Sequence, residues 1–363
     1  MKKNLIFFLS NFSKGGAAKS IVNICKNLNK TKYNIYIISL QKNSYKKELS
    51  KYCKKIYEIN ISKTIFSYKH ILKNILKNFD KKHTIFISNI NYTNILSLFF
   101  LKVCFSYKVV ITERTPIQEL DYYYSIFNYF KKKMIKILMY ILYRKADLII
   151  CNAKKISNDL FKSYSAKAEY VYPILENKIK KNIRNKKNNP FCVLSVGRYA
   201  KEKKLQDIIK AVSLLHDKKI KLILLGSGPQ KHYLAKLIKE LNINAKLVRF
   251  SEKLEKKYLR TSDLYINSSD FEGFPNVVVA AINNSVPVIA TKSHGGINEI
   301  LYKGNGGLLY NQGNILDLSK KILFIKKNYN QIIKKIPKAH NKLDRFLFKN
   351  TIIKFEKLID RIN

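Results

Sequence analysis

The pattern that decides the fold is clearest in the stretch FCVLSVGRYAKEKKLQDIIKAVSLLH, residues 191–216. It begins with a short apolar run at 191–197 and continues as an amphipathic segment at 203–216. A short apolar run is typical of a strand buried on both faces, and the amphipathic segment is typical of a helix covering a sheet. A chain that repeats this unit is predicted to form a parallel sheet with crossover helices.

The same unit recurs on both sides of this stretch. In the first half the pattern predicts strands near residues 4–10, 33–39, 84–88, 107–112, 147–151 and 168–172, with helices near 16–29, 66–79, 92–104, 124–144 and 153–163. In the second half it predicts strands near 191–197, 220–225, 246–250, 264–268, 287–291 and 306–310, with helices near 203–216, 230–241, 253–261, 276–284 and 314–327.

The length of 363 residues favours two domains, because a single core rarely grows beyond about 250–300 residues. A polar, Lys/Asn-rich stretch separates the two series of units and ends in Pro190, which is typical of a linker. We therefore expect a first domain at 1–175, a linker at 176–190 and a second domain at 191–330. Residues 331–363 are expected to form a basic helical segment that crosses back to the first domain.

The composition is strongly basic, with 70 Lys+Arg against 24 Asp+Glu and a net charge of +46. Such a charge suits an anionic partner, but the chain is also rich in Asn and Ile and contains no Trp. A biased genome composition explains these features equally, and a basic composition without a motif specifies no partner. The hydrophobic fraction of 46% is sufficient for sizeable cores.

The cysteines and apolar runs indicate a cytoplasmic protein. The five cysteines lie far apart, without the spacing of a zinc site or a disulfide framework. The apolar run at 5–9 is short and lacks a cleavage site, so we interpret it as a buried strand rather than a signal peptide. The apolar stretch at 95–105 is too short to span a bilayer.

Open parallel sheets bind ligands beyond the carboxyl ends of their strands, so the loops after the predicted strands carry the candidate site. Gly15 and Gly16 follow the first strand and either admit an anion to a helix N-terminus or form an ordinary tight turn. Arg198 and Lys203 flank the turn after strand 191–197, where they could neutralise a diphosphate. Arg198 is the more informative of the two because Arg is scarce in this Lys-rich chain.

The richest loop is SSDFEGFPNVVVAA, residues 268–281. Pro275 lies near the start of an apolar helix, where its missing N–H is not needed. The free amides of Asn276 and Val277 could then face a phosphate. Glu272 lies just before this helix, and its carboxylate either contacts a ligand or simply interacts with the helix dipole.

Five motifs in order along the chain resemble family 4 of the retaining glycosyltransferases. They are Gly-Gly at 15–16, Val-Gly-Arg with Glu-Lys at 196–203, Leu-Leu-Gly-Ser-Gly-Pro at 224–229, Glu-Gly-Phe-Pro-Asn at 272–276 and Gly-Gly-x-x-Glu at 295–299. Each motif alone is weak, but their joint order and spacing are specific. The stretches 111–116 and 145–152 also resemble bacterial members that extend lipid-linked glycans, some of which use N-acetylhexosamine donors.

The resemblance implies the α/β GT-B fold, in which two Rossmann-like doubly wound domains face a central cleft. It implies three catalytic residues: Arg198 and Lys203 would bind the donor diphosphate, and Glu272 would contact donor sugar hydroxyls. The donor-binding residues that it implies are Gly15, Gly16, Gly197, Phe274, Pro275, Asn276, Val277 and Glu299. The fourth loop, 293–299, is expected to close over the donor.

The family also implies the reaction. A UDP-sugar is the expected donor of a hexose or N-acetylhexosamine, and no cofactor or tightly bound metal is expected. Attack on the same face as the departing diphosphate would retain the anomeric configuration, with the leaving phosphate taking the acceptor proton. Fixed cations would stabilise the charge that develops on that phosphate.

Two positions depart from the family pattern. Ala280 stands where the family usually has a second Glu that binds the ribose hydroxyls, and Ala18 stands where many members have Glu. A methyl group cannot accept these hydrogen bonds, and losing a charged acceptor costs roughly 1.5–3 kcal/mol. We expect an active but altered site, because the residues expected to bind the diphosphate remain.

The acceptor side carries one further signal, a mixture of aromatic, basic and apolar residues at 122–145. This mixture suits the surface of an anionic membrane, but a core helix with a solvated Lys face has the same composition. The membrane interpretation favours a polyprenyl-linked glycan as acceptor, on the cytoplasmic face of the inner membrane, in assembly of lipopolysaccharide or capsule.

Three other classes of function stay open at this point. A nucleic-acid-binding protein is suggested by charge alone, without a binding module, so we expect no nucleic acid partner. A GT-B nucleotide-sugar epimerase would convert the donor without an acceptor and would require acid–base residues. A noncatalytic paralogue would keep the fold alone.

Overall fold

The structure, a computed structural model, describes residues 2–13, 15–179 and 188–362 of the chain. The predicted linker at 176–190 therefore lies partly outside the described residues, at 180–187.

Two compact units make up the molecule. The first comprises Met1–Glu176 with Phe346–Asn363, and the second comprises Asn177–Arg345. Of the expected C-terminal segment, residues 331–345 group with the second unit and residues 346–363 with the first.

The first unit contains a seven-stranded, entirely parallel sheet. Its strands are β1 Lys3–Leu9, β2 Tyr33–Ser39, β3 Lys55–Glu58, β4 Thr84–Asn89, β5 Lys108–Glu113, β6 Leu148–Cys151 and β7 Glu169–Tyr170. The strand order is β3-β2-β1-β4-β5-β6-β7, which is doubly wound about β1. Residues 5–9 of β1 are all buried and apolar, as expected for a central parallel strand that is covered on both faces.

Within the described residues, seven α-helices accompany this sheet. They are α1 Gly16–Asn27, α2 Lys46–Leu49, α3 Thr64–His70, α4 Asn91–Ser97, α5 Ile126–Leu142, α6 Lys154–Tyr164 and, at the end of the chain, α14 Phe348–Asp360. Short π-helical turns extend α3 and α4 at 71–75 and 98–103. Helix α14 covers the sheet near β1, where the rings of Phe355 and Phe7 stack with centroids 6.4 Å apart.

The second unit contains a six-stranded parallel sheet. Its strands are β8 Phe191–Val196, β9 Ile220–Leu225, β10 Ala245–Val248, β11 Leu264–Asn267, β12 Val288–Thr291 and β13 Gly307–Tyr310, in the order β10-β9-β8-β11-β12-β13. Its helices are α7 Leu205–Ser213, α8 Lys231–Glu240, α9 Glu252–Thr261, α10 Asn276–Asn283, α11 Ile297–Leu301, α12 Ile315–Lys327 and α13 Tyr329–Asn341. The two parallel sheets confirm the predicted pair of doubly wound α/β domains.

The structure differs from the sequence prediction in several details. It missed β3, a half-exposed edge strand with Lys55 and Glu58 at its ends, because such a strand has no apolar run. It placed a strand at 168–172, where β7 is only two residues long. It treated 293–299 as one loop, although α11 begins at Ile297.

Candidate functional site

The first candidate loop joins β8 to α7, and we call it the arginine loop (residues 197–204). The Arg198 side chain is 68% exposed, and its guanidinium donates to the Glu202 carboxylate at 2.5 Å. Burial raises the pKa of Glu202, but the hydrogen bond from Arg198 and nearby cations outweigh it, so this pKa lies below its usual range. Glu202 is therefore ionised at neutral pH and orients Arg198, most of whose side chain remains exposed.

Two glycines after β9 hold the arginine loop in position. A Cβ at Gly226 would lie 1.9 Å from the carbonyl oxygen of Gly197. A Cβ at Gly228, whose φ is +154°, would lie 2.5 Å from the carbonyl oxygen of Tyr199. The Tyr199 side chain is almost fully buried, and the Tyr199 backbone amide donates to the carbonyl of Ser227, between the two glycines, at 2.8 Å. The spacing of this Gly-x-Gly motif therefore follows from backbone packing.

Gly197 differs from these two glycines. A Cβ at this position would meet only the side-chain carbons of Lys203, at 3.9 and 4.0 Å, which is ordinary van der Waals contact. Its φ also lies outside the left-handed region. Among the described residues, no neighbour requires a glycine here, and its absence of a side chain leaves the end of β8 open to a ligand.

The second candidate loop joins β11 to α10, and we call it the glutamate loop (residues 268–275). The Ser268 hydroxyl donates to the Lys203 carbonyl at 2.7 Å, and the Asp270 amide donates to the Glu202 carbonyl at 2.9 Å. Since β8 and β11 are neighbours in the sheet, these bonds fix the arginine and glutamate loops against each other at the carboxyl edge.

Lys203 and Glu272 meet between these two loops. The Lys203 ammonium donates to Glu272 Oε1, and the Ser269 hydroxyl donates to the same oxygen at 3.0 Å. The side chains of Lys203 and Glu272 are 23% and 20% exposed, so the pair is partly shielded yet reachable. The fold thus brings together two of the three residues expected to be catalytic, and Arg198 projects from the same loop as Lys203.

The N-terminus of α10 directly follows the glutamate loop. The amides of Val278 and Val279 donate to the Pro275 carbonyl at 3.0 and 3.4 Å. The amides of Asn276 and Val277, which precede them, have no acceptor among the described residues, and the first turn carries no acidic side chain. This helix end can therefore accept an anion.

Phe274 and Ala280 mark the two sides of this region. Phe274 is 7% exposed and so anchors the glutamate loop in the core. Ala280 is half-buried in α10, one helical turn beyond Asn276, and so lies on the same face. Ala280, which stands where the family pattern has its second Glu, therefore lies close to the start of α10.

The expected fourth loop packs on the backbone of the glutamate loop. A Cβ at Gly295, whose φ is +112°, would lie 1.8 Å from the Glu272 carbonyl oxygen, so only glycine fits. The Gly296 amide donates to the Gly273 carbonyl at 2.7 Å. Glu299 lies half-buried in α11, and its backbone carbonyl accepts from Arg345. The donor-binding role expected for Glu299 stays a prediction.

Asp270 is a residue of the site region that the sequence analysis did not single out. Its buried carboxylate accepts from Gln312 at 2.6 Å and lies 3.6 Å from the Lys204 ammonium. Burial raises the pKa of Asp270. Asp270 thereby ties the arginine loop, the glutamate loop and the loop after β13 together. The available sequence signal was a carboxylate three residues after the end of a buried strand.

Gly15 and Gly16, the remaining expected donor-binding residues, belong to the first unit. Gly15 is the N-cap of α1 in an extended conformation, and α1 has no acidic residue in its first turn. A Cβ at Gly15 would meet only the Ser13 carbonyl oxygen, at 3.9 Å. Packing among the described residues does not require this glycine, and contact of Gly15 and Gly16 with a donor stays a prediction.

The first unit also contains a buried polar network at the end of β5, which the sequence analysis quoted only as part of a motif. Glu113 accepts from Asn94 at 2.7 Å and from the Tyr143 hydroxyl. Burial raises the pKa of Glu113 to about 7 and lowers that of Arg114 to about 10. Arg114 donates to Asn89 at 3.2 and 3.3 Å. The network joins β4 and β5 to the end of α5.

A cavity of about 590 Å³ lies elsewhere in the second unit, beside Phe191, Lys326 and Tyr329. Phe191 begins β8, so this cavity lies at the amino edge of the sheet, opposite the edge where ligands of such folds bind.

A metal site is a separate question. Among the described residues, no group of three or more His, Cys, Asp or Glu side chains could hold a metal ion.

Two family models match successive parts of the chain. Residues 14–174 match the model described as Glycosyltransferase Family 4, and residues 176–342 match the model described as Glycosyl transferases group 1. Together they include every residue of the arginine and glutamate loops.

Two curated relatives each match about half of the chain. One is the N-acetylgalactosamine-N,N'-diacetylbacillosaminyl-diphospho-undecaprenol 4-alpha-N-acetylgalactosaminyltransferase of Campylobacter jejuni, which is 34% identical over 50% of this chain and 51% of its own length. Another is the amylovoran biosynthesis glycosyltransferase AmsD of Erwinia amylovora, 28% identical over 48% of this chain and 51% of its own. The chain spans about half the length of these relatives.

A solved structure matches the whole chain. HepE of Anabaena, in complex with UDP-glucose, superposes with a TM-score of 0.78 over 99% of this chain and 100% of its own, at 16% identity. At this identity the likeness establishes the fold.

Proposed function

We propose that this chain, which belongs to the glycosyltransferases described by the two family models, transfers a hexose or N-acetylhexosamine from a nucleotide-diphosphate sugar to a lipid-linked glycan. The observation that carries the proposal is the meeting of Lys203 and Glu272, beside Arg198 and the N-terminus of α10, at one edge of the second sheet.

Each group at this edge has a role that its chemistry supports. The ammonium of Lys203 supplies a compact positive charge, and the planar guanidinium of Arg198 can donate two parallel hydrogen bonds. Both groups suit the oxygens of a diphosphate. The amides of Asn276 and Val277 add neutral donors at a helix N-terminus. Glu272 is an acceptor for sugar hydroxyls, since a carboxylate has more acceptor sites than Lys203 and Ser269 occupy.

The reaction breaks the bond between the anomeric carbon and the diphosphate oxygen and forms a bond to the acceptor hydroxyl on the same face of the sugar. The leaving phosphate oxygen takes the acceptor proton. Negative charge grows on the diphosphate as this bond breaks, so Arg198 and Lys203 stabilise the transition state more than the ground state. The configuration at the anomeric carbon is retained.

The names of similar proteins favour a UDP-sugar and a lipid-linked acceptor. HepE is described with UDP-glucose, and the C. jejuni relative is named for N-acetylgalactosamine transfer to a diphospho-undecaprenol glycan. By analogy we assign this chain a UDP-N-acetylhexosamine or UDP-hexose and a polyprenyl-linked glycan, in assembly of lipopolysaccharide or capsule. Such an acceptor places the enzyme on the cytoplasmic face of the inner membrane.

Transfer can be tested by incubating the purified chain with UDP-glucose, UDP-N-acetylglucosamine or UDP-N-acetylgalactosamine and a polyprenyl-diphosphate glycan, followed by mass spectrometry. We expect the acceptor to gain one sugar and UDP to be released. Conversion of the donor without an acceptor would instead identify an epimerase. Binding of donor without conversion would identify a noncatalytic paralogue, and salt-sensitive DNA binding without donor binding would identify a nucleic-acid-binding protein.

A further inference from the structure

Helix α5 of the first unit is apolar on two opposite faces. Its inward face buries Ile135, Met139 and Leu142. Its outward face exposes a continuous apolar row, in which every side chain is more than half exposed: Ile126, Phe127, Phe130, Met134, Ile137, Tyr140 and Ile141. Phe127 and Phe130 are the most prominent rings, at 86% and 60% exposure.

The outward row follows the helical repeat. At about 100° per residue, its members fall within an arc of roughly 140°, opposite the buried face. A solvated helix normally places charged residues there, and an exposed apolar patch of this kind marks a binding surface. We call this row, with the cations beside it, the α5 outer face.

The charged residues of α5 and of the turn after it are all positive, and one of them, Lys136, pairs with Asp121 before the helix. Residues 122–146 contain six Lys or Arg and no Asp or Glu. Lys131 lies over the ring of Tyr92 at 5.7 Å, Lys133 over that of Tyr129 at 4.7 Å, and Arg144 over that of Tyr140 at 4.6 Å.

Lys132, unlike these three cations, is turned inward and binds backbone carbonyls. Its ammonium donates to the carbonyls of Glu119, at 2.7 Å, and Tyr122. Burial lowers its pKa. Lys132 thus fixes the segment before α5. Of the other cations, Lys131, Lys133 and Arg144 lie over aromatic rings, whereas Lys136 pairs with Asp121.

We infer that the α5 outer face docks the enzyme on an anionic phospholipid bilayer, with the helix lying in the plane of the membrane surface. Phe127 and Phe130 enter the acyl region, and Lys131, Lys133 and Arg144 meet lipid phosphates at the interface. The biological reason for this docking rests on the proposed lipid-linked acceptor. The structural evidence for it is the exposed apolar row of α5 and the cations beside that row. Helix α5, at 17 residues, extends about 25 Å along the surface.

Other occupants fit the observations less well. A symmetric contact between two copies would bring the cations of one α5 outer face against those of the other. A nucleic acid would leave the apolar row uncovered. Insertion across the bilayer is not an alternative for α5, because no helix among the described residues has the length and hydropathy to cross a membrane.

Vesicle flotation tests this inference with the full chain and without turnover. We expect the protein to float with phosphatidylcholine vesicles that contain about one third phosphatidylglycerol, and to remain unbound with pure phosphatidylcholine. The double variant Phe127→Ser with Phe130→Ser should bind the anionic vesicles about tenfold or more weakly. Because both rings are exposed, the fold should be retained, which circular dichroism checks.

The matched control is Leu316→Ser with Phe324→Ser on α12, where both side chains are also exposed, at 64% and 48%. It should bind vesicles as the unmodified protein does. Equal binding by the Phe127→Ser and Phe130→Ser variant, equal binding to neutral vesicles, or dimerisation that this variant abolishes would each overturn the inference. Transfer to a short-chain, water-soluble acceptor tests the proposed function separately, since the α5 variant should retain it.

Discussion

Lys203 and Glu272 lie 69 residues apart in the chain, yet their side chains form an ion pair across the arginine and glutamate loops. A diphosphate that approaches Lys203 must share the ammonium with Glu272, and a sugar hydroxyl that approaches Glu272 can replace part of that contact. Under the proposed function, donor binding would therefore be coupled to rearrangement of this pair.

The first prediction concerns Glu272. Glu272→Gln keeps the size of the side chain but removes its charge, so kcat/KM for transfer should fall about 100-fold or more if Glu272 acts on the donor. The exposed pair Lys236–Glu240 on α8 supplies the control, and Glu240→Gln should leave transfer unchanged. Steady-state kinetics with a UDP-sugar measure kcat/KM for both variants and for the unmodified chain. Wild-type turnover in Glu272→Gln would remove Glu272 from the catalytic residues.

The second prediction concerns Arg198. Arg198→Ala removes an exposed fork that contacts only the Glu202 carboxylate among the described residues, so the thermal midpoint should change little. Transfer should be nearly abolished, because the leaving diphosphate loses a fixed cation. Arg198→Lys should recover part of the rate but not the bidentate geometry. Arg260→Ala, at an exposed position of α9, is the control, and normal kinetics in Arg198→Ala would contradict the assignment.

Much of the fold could be predicted from the sequence because buried parallel strands correspond to short runs of apolar residues. The run at 191–197 predicts β8 within one residue, whereas the edge strand β3 has no such run and was missed. The loop at 293–299 was only partly right, since α11 is five residues long and its start depends on packing of Gly295 against Glu272.

The candidate site was predictable only in part. Arg198, Lys203 and Glu272 were identified from motifs, but their distances depend on the adjacency of β8 and β11, which sequence spacing does not reveal. Gly226 was part of a motif, yet its close approach to Gly197 is a tertiary contact. Asp270 and Glu113 were not predicted to matter, because the burial that raises their pKa values arises from the folded chain.

The third prediction separates two glycines of the site. Gly226→Ala places a methyl group 1.9 Å from the Gly197 carbonyl oxygen, so it should lower the thermal midpoint by several degrees and displace the arginine loop. Gly197→Ala meets only flexible Lys203 carbons and should fold normally, but its methyl group should weaken donor binding. Thermal unfolding and calorimetric titration with UDP distinguish the two effects. Equal UDP affinity in Gly197→Ala and the unmodified chain would exclude close approach of the donor there.

The fourth prediction concerns Ala280. Ala280→Glu introduces a carboxylate one turn after Asn276 on a half-buried face of α10, where it could accept hydrogen bonds from ribose hydroxyls. If the pocket is otherwise normal, donor affinity should rise about tenfold, as expected for a charged hydrogen bond. Ala280→Gln serves as the control for size. An unchanged dissociation constant for UDP would indicate that the ribose is bound differently in this protein.

The fifth prediction concerns Glu113 and the dependence of stability on pH. Burial raises the pKa of Glu113 to about 7, above its ordinary value of 4.5, so the folded state holds a proton that the unfolded state has lost between these values. The stabilisation from this proton is fully present below about pH 4.5 and is lost as the pH rises through about 7. Over this range Glu113 should lower the free energy of unfolding by up to about 3 kcal/mol.

Glu113→Gln should remove this contribution while keeping an acceptor for the Tyr143 hydroxyl and for Asn94. The variant should therefore gain stability relative to the unmodified chain when both are compared at about pH 8 rather than about pH 5. Denaturant unfolding at a series of pH values measures the difference, with the exposed Glu240→Gln as control. A difference between Glu113→Gln and the unmodified chain that does not change with pH would mean that Glu113 titrates at an ordinary carboxyl pKa.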